Sequence, residues 1–291
     1  MNSAISRRGI LAGAAAATAL SGCTVLQDKF GGGGARAATM DARTGIQLYT
    51  VRAAMQADVP GSLKKIADIG YRQVEFAGYF GHSPAEIRKM VADLGMTAPS
   101  SHIQVADART DAQACVDRTR EAGHKFLVLA WFPPEQRQTL DQWKEIAGFC
   151  NHVAGLCKTA GLSFAYHNHN FEFEAMNGVL PYDVMIQNTD PSLVQFELDL
   201  YWAKKAGQDL DALLARHQGR IVMCHVKDMA PDGSMADVGQ GTIDFARMLA
   251  APAAAPMEYY FVENDDTKTP FESAAISCSA LSNILKSLPR R

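Results

Sequence analysis

An α/β chain closed into a (β/α)8 (TIM) barrel is the fold this sequence predicts, and three observations predict it. Eight short β-rich segments recur, at 45–51, 73–77, 98–104, 126–131, 162–168, 194–199, 221–226 and 259–263. Helix-like stretches separate them, and Gly70, Gly95, Gly123 and Gly161 stand where helix C-caps belong. Strand starts fall about every 25 to 40 residues, the length of one βα unit, and eight consecutive units close on themselves rather than leave an open sheet.

Taken from the N-terminus, residues 1–23 read as an address label. Ser6-Arg7-Arg8-Gly9-Ile10-Leu11 gives a twin-arginine pair, an uncharged Ala-rich run follows, and Leu20-Ser21-Gly22-Cys23 has the form of a bacterial lipobox. The expectation is export, lipidation of Cys23 and residence as a lipoprotein on the periplasmic side of the membrane. Residues 24–40, with glycine at 31–34, form a flexible linker. Residues 41–291 are then one barrel, since ~250 residues is the usual size of this fold.

Within the barrel, helices are expected at 60–69, 85–94, 111–122, 134–159, 209–217 and 271–288. The first strand is followed by Tyr49-Thr50-Val51-Arg52, not by Gly-x-Gly-x-x-Gly, so a doubly wound dinucleotide fold is disfavoured and NAD is not expected. A net charge of −3 without a Lys/Arg cluster gives no field for a phosphate backbone, so nucleic acid is not an expected partner. Apart from Cys23, the cysteines at 115, 150, 157, 224 and 278 are scattered and lack any Cys-x-x-Cys pair, which makes them core thiols rather than a zinc or disulfide framework.

Catalytic groups of such barrels come from the C-terminal ends of strands. The fifth segment ends Tyr166-His167-Asn168-His169-Asn170-Phe171-Glu172, the sixth Glu197-Leu198-Asp199, the seventh His225-Val226-Lys227-Asp228 and the eighth Val262-Glu263-Asn264-Asp265. Carboxylates and imidazoles converging on one point need a positive charge among them, and a divalent cation supplies it while fixing their geometry. Oxygen and nitrogen ligands without thiolate suit Mn2+, Mg2+, Co2+ or Zn2+.

These residues resemble the sugar phosphate isomerase/epimerase group of xylose isomerase-like TIM barrels, whose members include inosose dehydratases and ketose 3-epimerases. The carriers are 46–52, Val74-Glu75-Phe76, Tyr166-His167-Asn168-His169, Leu198-Asp199, His225-Val226-Lys227-Asp228, 238–244 and Val262-Glu263. The resemblance implies a metal held by Asp199, His225 and Glu263, with His167 or Glu172 as the fourth ligand and Glu172 preferred. It also implies that the metal chelates a carbonyl and its neighbouring hydroxyl, so that a base can remove the adjacent C–H proton. His169 and Glu263 are the candidate bases, and Lys227 is a donor to the developing oxyanion or else a salt-bridge partner of Asp228. In ketose epimerases two carboxylates exchange the proton on opposite faces, and a histidine at the fifth strand points to another division of labour.

For substrate binding the candidates are His102, Glu75, Arg52, His167 and Trp202. Trp131, Phe132 and Tyr201 are further aromatic faces at strand ends. Gly239-Gln240-Gly241 is either a turn or an anion cradle, with no basic cluster to mark a phosphate handle. An exported enzyme would meet a non-phosphorylated sugar, so the expected activity is an isomerase or epimerase. A lyase acting on a 3-keto sugar or inosose is the alternative, and a sugar-binding lipoprotein the rival from another class. The homo-oligomeric state is left open.

Overall fold

A computed structural model describes residues 40–288, so Cys23, the signal and most of the linker lie outside the described residues. Eight parallel strands close into a barrel: β1 (Thr44–Gln47), β2 (Gln73–Phe76), β3 (Thr97–Ile103), β4 (Phe126–Leu129), β5 (Ser163–His167), β6 (Val194–Asp199), β7 (Ile221–Val226) and β8 (Tyr259–Val262). Each pairs with its sequence neighbours, and β8 closes onto β1 through Gly45 beside Phe261. Helices wrap the outside, among them Val59–Ile69, Pro84–Asp93, Ala112–Glu121, Leu140–Thr159 and Pro270–Ser287. The four expected cap glycines sit at helix ends with φ from +64° to +123°.

The differences from expectation are local. The first segment leaves the sheet after Gln47, because the Gln47 Oε1 accepts from Tyr49 N–H and starts a 3-10 turn over Leu48–Val51. Short helices at Arg52–Ala57, Val105–Thr110, Pro181–Asn188, Leu200–Lys205 and Phe245–Ala250 complete the ring. The five cysteines from 115 to 278 are free and buried.

Two cores result from strand alternation. Outward-facing residues pack against the helices in one large cluster, while Phe126, Val128, Ala165, Val222, Met223 and Phe261 form a separate, smaller one. The smaller cluster plugs the barrel. A Cβ built on Gly45 would lie 2.6 Å from Phe261 Cδ1, so this position has room only for glycine beside the plug. Continuing upward in steps of two, the plug gives way to polar residues: Ala165 to His167 and His169, Met223 to His225 and Lys227, Phe261 to Glu263 and Asp265.

Candidate active site

The polar residues above the plug lie in two tiers. In the lower tier Glu197 Oε2 lies 2.8 Å from His102 Nε2, 3.3 Å from His167 Nδ1 and 3.4 Å from His225 Nε2. Glu75 Oε2 joins it at 2.8 Å from His225 Nε2 and 3.2 Å from His102 Nε2, and accepts a hydrogen bond from Gln47 Nε2 at 2.8 Å. Both carboxylates are fully buried. Burial pushes both carboxyls up, and Glu75 pushes Glu197 further. The surrounding imidazoles nonetheless hold Glu197 at about 2 and Glu75 below the usual range. The same attraction outweighs burial at His102, whose imidazole is raised to about 10, whereas burial and the neighbouring His225 keep His167 neutral.

The upper tier is organised by Lys227. Its Nζ lies 2.7 Å from Glu263 Oε2, 2.9 Å from Asp265 Oδ2 and 3.1 Å from Asp199 Oδ2, and 5.3 Å from the centre of the Trp202 ring. His225 belongs to both tiers, since its Nδ1 faces Glu263 Oε2 at 2.8 Å and Asp199 Oδ2 at 3.8 Å. Asp199 is held in place from two sides: its Oδ1 accepts from Trp202 N–H, capping the helix Leu200–Lys205, and its own N–H donates to Asn168 Oδ1.

A cavity of about 490 Å³ opens above these tiers, lined by His102, His167, His169, Trp202, Lys227 and Glu263 among others, with Arg52, Trp131 and Asp265 toward its rim. Burial, with Lys227 nearby, lowers His169 to about 3, so its imidazole is neutral. Burial and the adjacent Glu263 raise Asp265 to about 7 against the pull of Lys227.

Several sequence expectations change. Glu172 lies in neither cluster: it is buried in a 3-10 turn, Phe171–Phe173, where Oε1 accepts from Tyr166 Oη at 2.6 Å and Oε2 from His169 N–H at 2.8 Å. Each of its oxygens is bonded within the loop, and it stands outside both groups of converging donor atoms. Glu75 does not line the cavity and is instead a barrel-interior ion-pair partner. Lys227 turns from Asp228 to the upper tier, while Asp228 accepts four backbone N–H bonds, from Met229, Gly239, Gly241 and Ile243. The Gly239-Gln240-Gly241 cradle therefore holds a carboxylate of this chain rather than a ligand. Phe132 is fully buried and Tyr201 donates to Gly233 O, so of the four aromatics expected there only Trp131 and Trp202 line the cavity, joined by Tyr49 just past β1.

Glu197 and Asp265 are functional candidates that sequence reasoning did not select. The signal was present for both: each stands two residues from a selected carboxylate, Asp199 or Glu263, and so faces the same way.

The chemistry of the donors fits a divalent cation. Buried carboxylate and imidazole groups gather as His102, His167, Glu197 and His225, and again as Asp199, His225 and Glu263. Orphaned buried atoms point the same way: Glu75 Oε1 and Glu197 Oε1 have no hydrogen-bond partner.

Against known proteins, a sequence profile of the xylose isomerase-like TIM barrel matches residues 63–263. An inosose dehydratase of Geobacillus kaustophilus is 25% identical over 228 residues, covering 65% of this chain and 73% of the relative. A solved sugar phosphate isomerase/epimerase from Parabacteroides distasonis superposes with a TM-score of 0.71 at 28% identity, covering 82% of this chain and 97% of that one. The IolI protein, solved with a bound zinc atom, shares the fold at 14% identity, with a TM-score of 0.65 over 86% of this chain and 100% of its own.

Proposed function

This chain belongs to the xylose isomerase-like TIM barrel family, and on that premise we propose that it is a divalent-metal-dependent lyase. It would remove the proton beside the carbonyl of a sugar or cyclitol and expel a substituent from the next carbon. One observation carries the elimination outcome. The cavity offers unlike groups, the neutral His169 imidazole as base and, as acid, the Asp265 carboxyl that burial and Glu263 raise, because the remaining carboxylate of the fifth loop, Glu172, is bound to Tyr166 and the loop backbone. A pair of like carboxylates would suit exchange between two faces of one carbon. A base with a separate acid suits elimination.

Roles follow from position. Trp202 and Trp131 offer flat faces to a ring, and Arg52, His102 and His167 offer hydrogen bonds to hydroxyls. The cation, held around His225, would polarise the carbonyl and acidify the neighbouring C–H. The His169 imidazole takes the proton. Lys227 Nζ stays protonated among its carboxylates and donates to the oxygen on which charge develops. Asp265, whose carboxyl is raised by burial and by Glu263, delivers a proton to the leaving oxygen. Epimerisation is the second reading, favoured by the 28% identity to the isomerase/epimerase structure. A non-phosphorylated substrate agrees with the exported lipoprotein that residues 1–23 suggest, and with a Gly239–Gly241 turn already occupied by Asp228.

The test is to incubate the protein with 3-keto sugars and inososes in D2O and follow them by NMR and mass. We expect deuterium at the carbon beside the carbonyl together with loss of water or of the substituent. Exchange with only an epimer formed would select the second reading, and no exchange with any of the compounds would end both.

A further inference from the structure

The two tiers offer a divalent cation two different homes. We propose that it is held in the lower one, by His102, His167, Glu197 and His225 with Glu75 beside them, and that the Lys227 ammonium serves the upper tier in its place. The proposal rests on the metal-dependent reading above and assigns the ion to other residues than the Asp199, His225 and Glu263 set implied by family resemblance.

Charge decides between the tiers. Asp199, Glu263 and Asp265 already share a fixed positive charge, Lys227 Nζ, at 2.7 to 3.1 Å. An ion bound to the first two would press against that ammonium at short range, where repulsion is strongest. Glu75 and Glu197 are equally buried, and among the described residues no Lys or Arg forms an ion pair with either. Two buried carboxylates facing three imidazoles have only protons on those rings to balance them, and a metal can displace such protons, whereas the ammonium above is fixed in place.

Geometry agrees. Donor atoms bound ~2.1 Å from one ion lie roughly 3.0 to 3.4 Å from their neighbours. The lower-tier nitrogens stand 2.8 to 3.4 Å from Glu197 Oε2, while in the upper tier His225 Nδ1 is 2.8 Å from Glu263 Oε2 but 3.8 Å from Asp199 Oδ2. His167 is buried, with Nδ1 aimed at this cluster 3.3 Å from Glu197 Oε2. With Nε2 given to the ion, His225 Nδ1–H is left to donate to Glu263 at 2.8 Å, the carboxylate contact that orients a ligating histidine. His102 and His167 also line the cavity, so the site is open to a substrate from above.

The experiment uses the full chain, stripped of metal and titrated with Co2+, with X-ray absorption counting the imidazoles on the ion. Three imidazoles are expected from the lower tier, and a count of one or two would overturn the proposal, whatever the behaviour of any variant. In parallel, Glu197→Gln and His102→Gln should weaken Co2+ binding on the order of 100-fold or more, and Asp199→Asn by less than ~10-fold. The reverse ranking would also overturn the proposal while leaving a metal-dependent enzyme intact. A wild-type chain that binds no Co2+ would overturn both this assignment and the metal-dependent reading, and the D2O exchange would then judge proton abstraction alone.

Discussion

The lower and upper tiers hold similar numbers of buried carboxylates and solve the same electrostatic problem differently. Below, Glu75 and Glu197 face imidazoles, whose charge is adjustable. Above, Asp199, Glu263 and Asp265 face the Lys227 ammonium, whose charge is fixed. His225 bridges them, one nitrogen to each. The lesson is that an imidazole cluster can give its protons up to a metal, while an ammonium holds carboxylates in place and keeps a proton donor at the cavity wall.

Removing the fixed charge tests that contrast most severely. Lys227→Met should lower kcat/KM by about 100-fold or more, as expected for loss of a donor to a developing oxyanion, and should open a second, weaker Co2+ site in the upper tier. Unchanged turnover, or no added Co2+ binding, would mean that the tiers do not divide the work in this way.

Glu172 offers the next test, because it is a buried carboxyl with neither kind of cation beside it. Burial raises it to about 7 despite hydrogen bonds from Tyr166 and the His169 N–H. An acid whose folded pKa lies above its unfolded value binds more protons when folded, so it costs stability as pH rises from about 4.5 through about 7. Chemical denaturation at pH 5 and pH 8 should show wild type losing up to about 3 kcal/mol from this group, and Glu172→Gln losing markedly less. Co2+ affinity should be unaltered in that variant, and a large drop would return Glu172 to the ligand set.

Arg52 should give the smallest effect. It is exposed at the rim, bonded to the backbone carbonyls of Tyr49 and Asp265. Arg52→Ala is expected to raise KM by a few-fold and leave kcat unchanged, as for a group that binds substrate and transition state alike. A fall in kcat equal to that of Lys227→Met would place the guanidinium in the chemistry.

The barrel was legible because each strand is a short apolar run ended by a turn, and Val194–Asp199 and Ile221–Val226 coincide with the segments read from sequence. Short helices such as Leu200–Lys205 were not, because six residues give too little periodicity and this one starts on Asp199, a residue read only as a ligand. Asp199, His225 and Glu263 do come together. Glu172 stands apart from them because nearness in sequence to His169 says nothing of direction once a 3-10 turn intervenes. Glu197 shares the space of Asp199 because a strand shows every second residue to the same side.

The plug of Phe126, Val128, Ala165, Val222, Met223 and Phe261 has a kinetic consequence. With the ring of Phe261 edge-on beneath His225, the cavity is a blind alley. Whatever enters must leave by the rim it came through, past Trp131 and Arg52. Arrival of the next substrate and departure of the last product are then mutually exclusive, so accumulated product competes directly with substrate for the doorway.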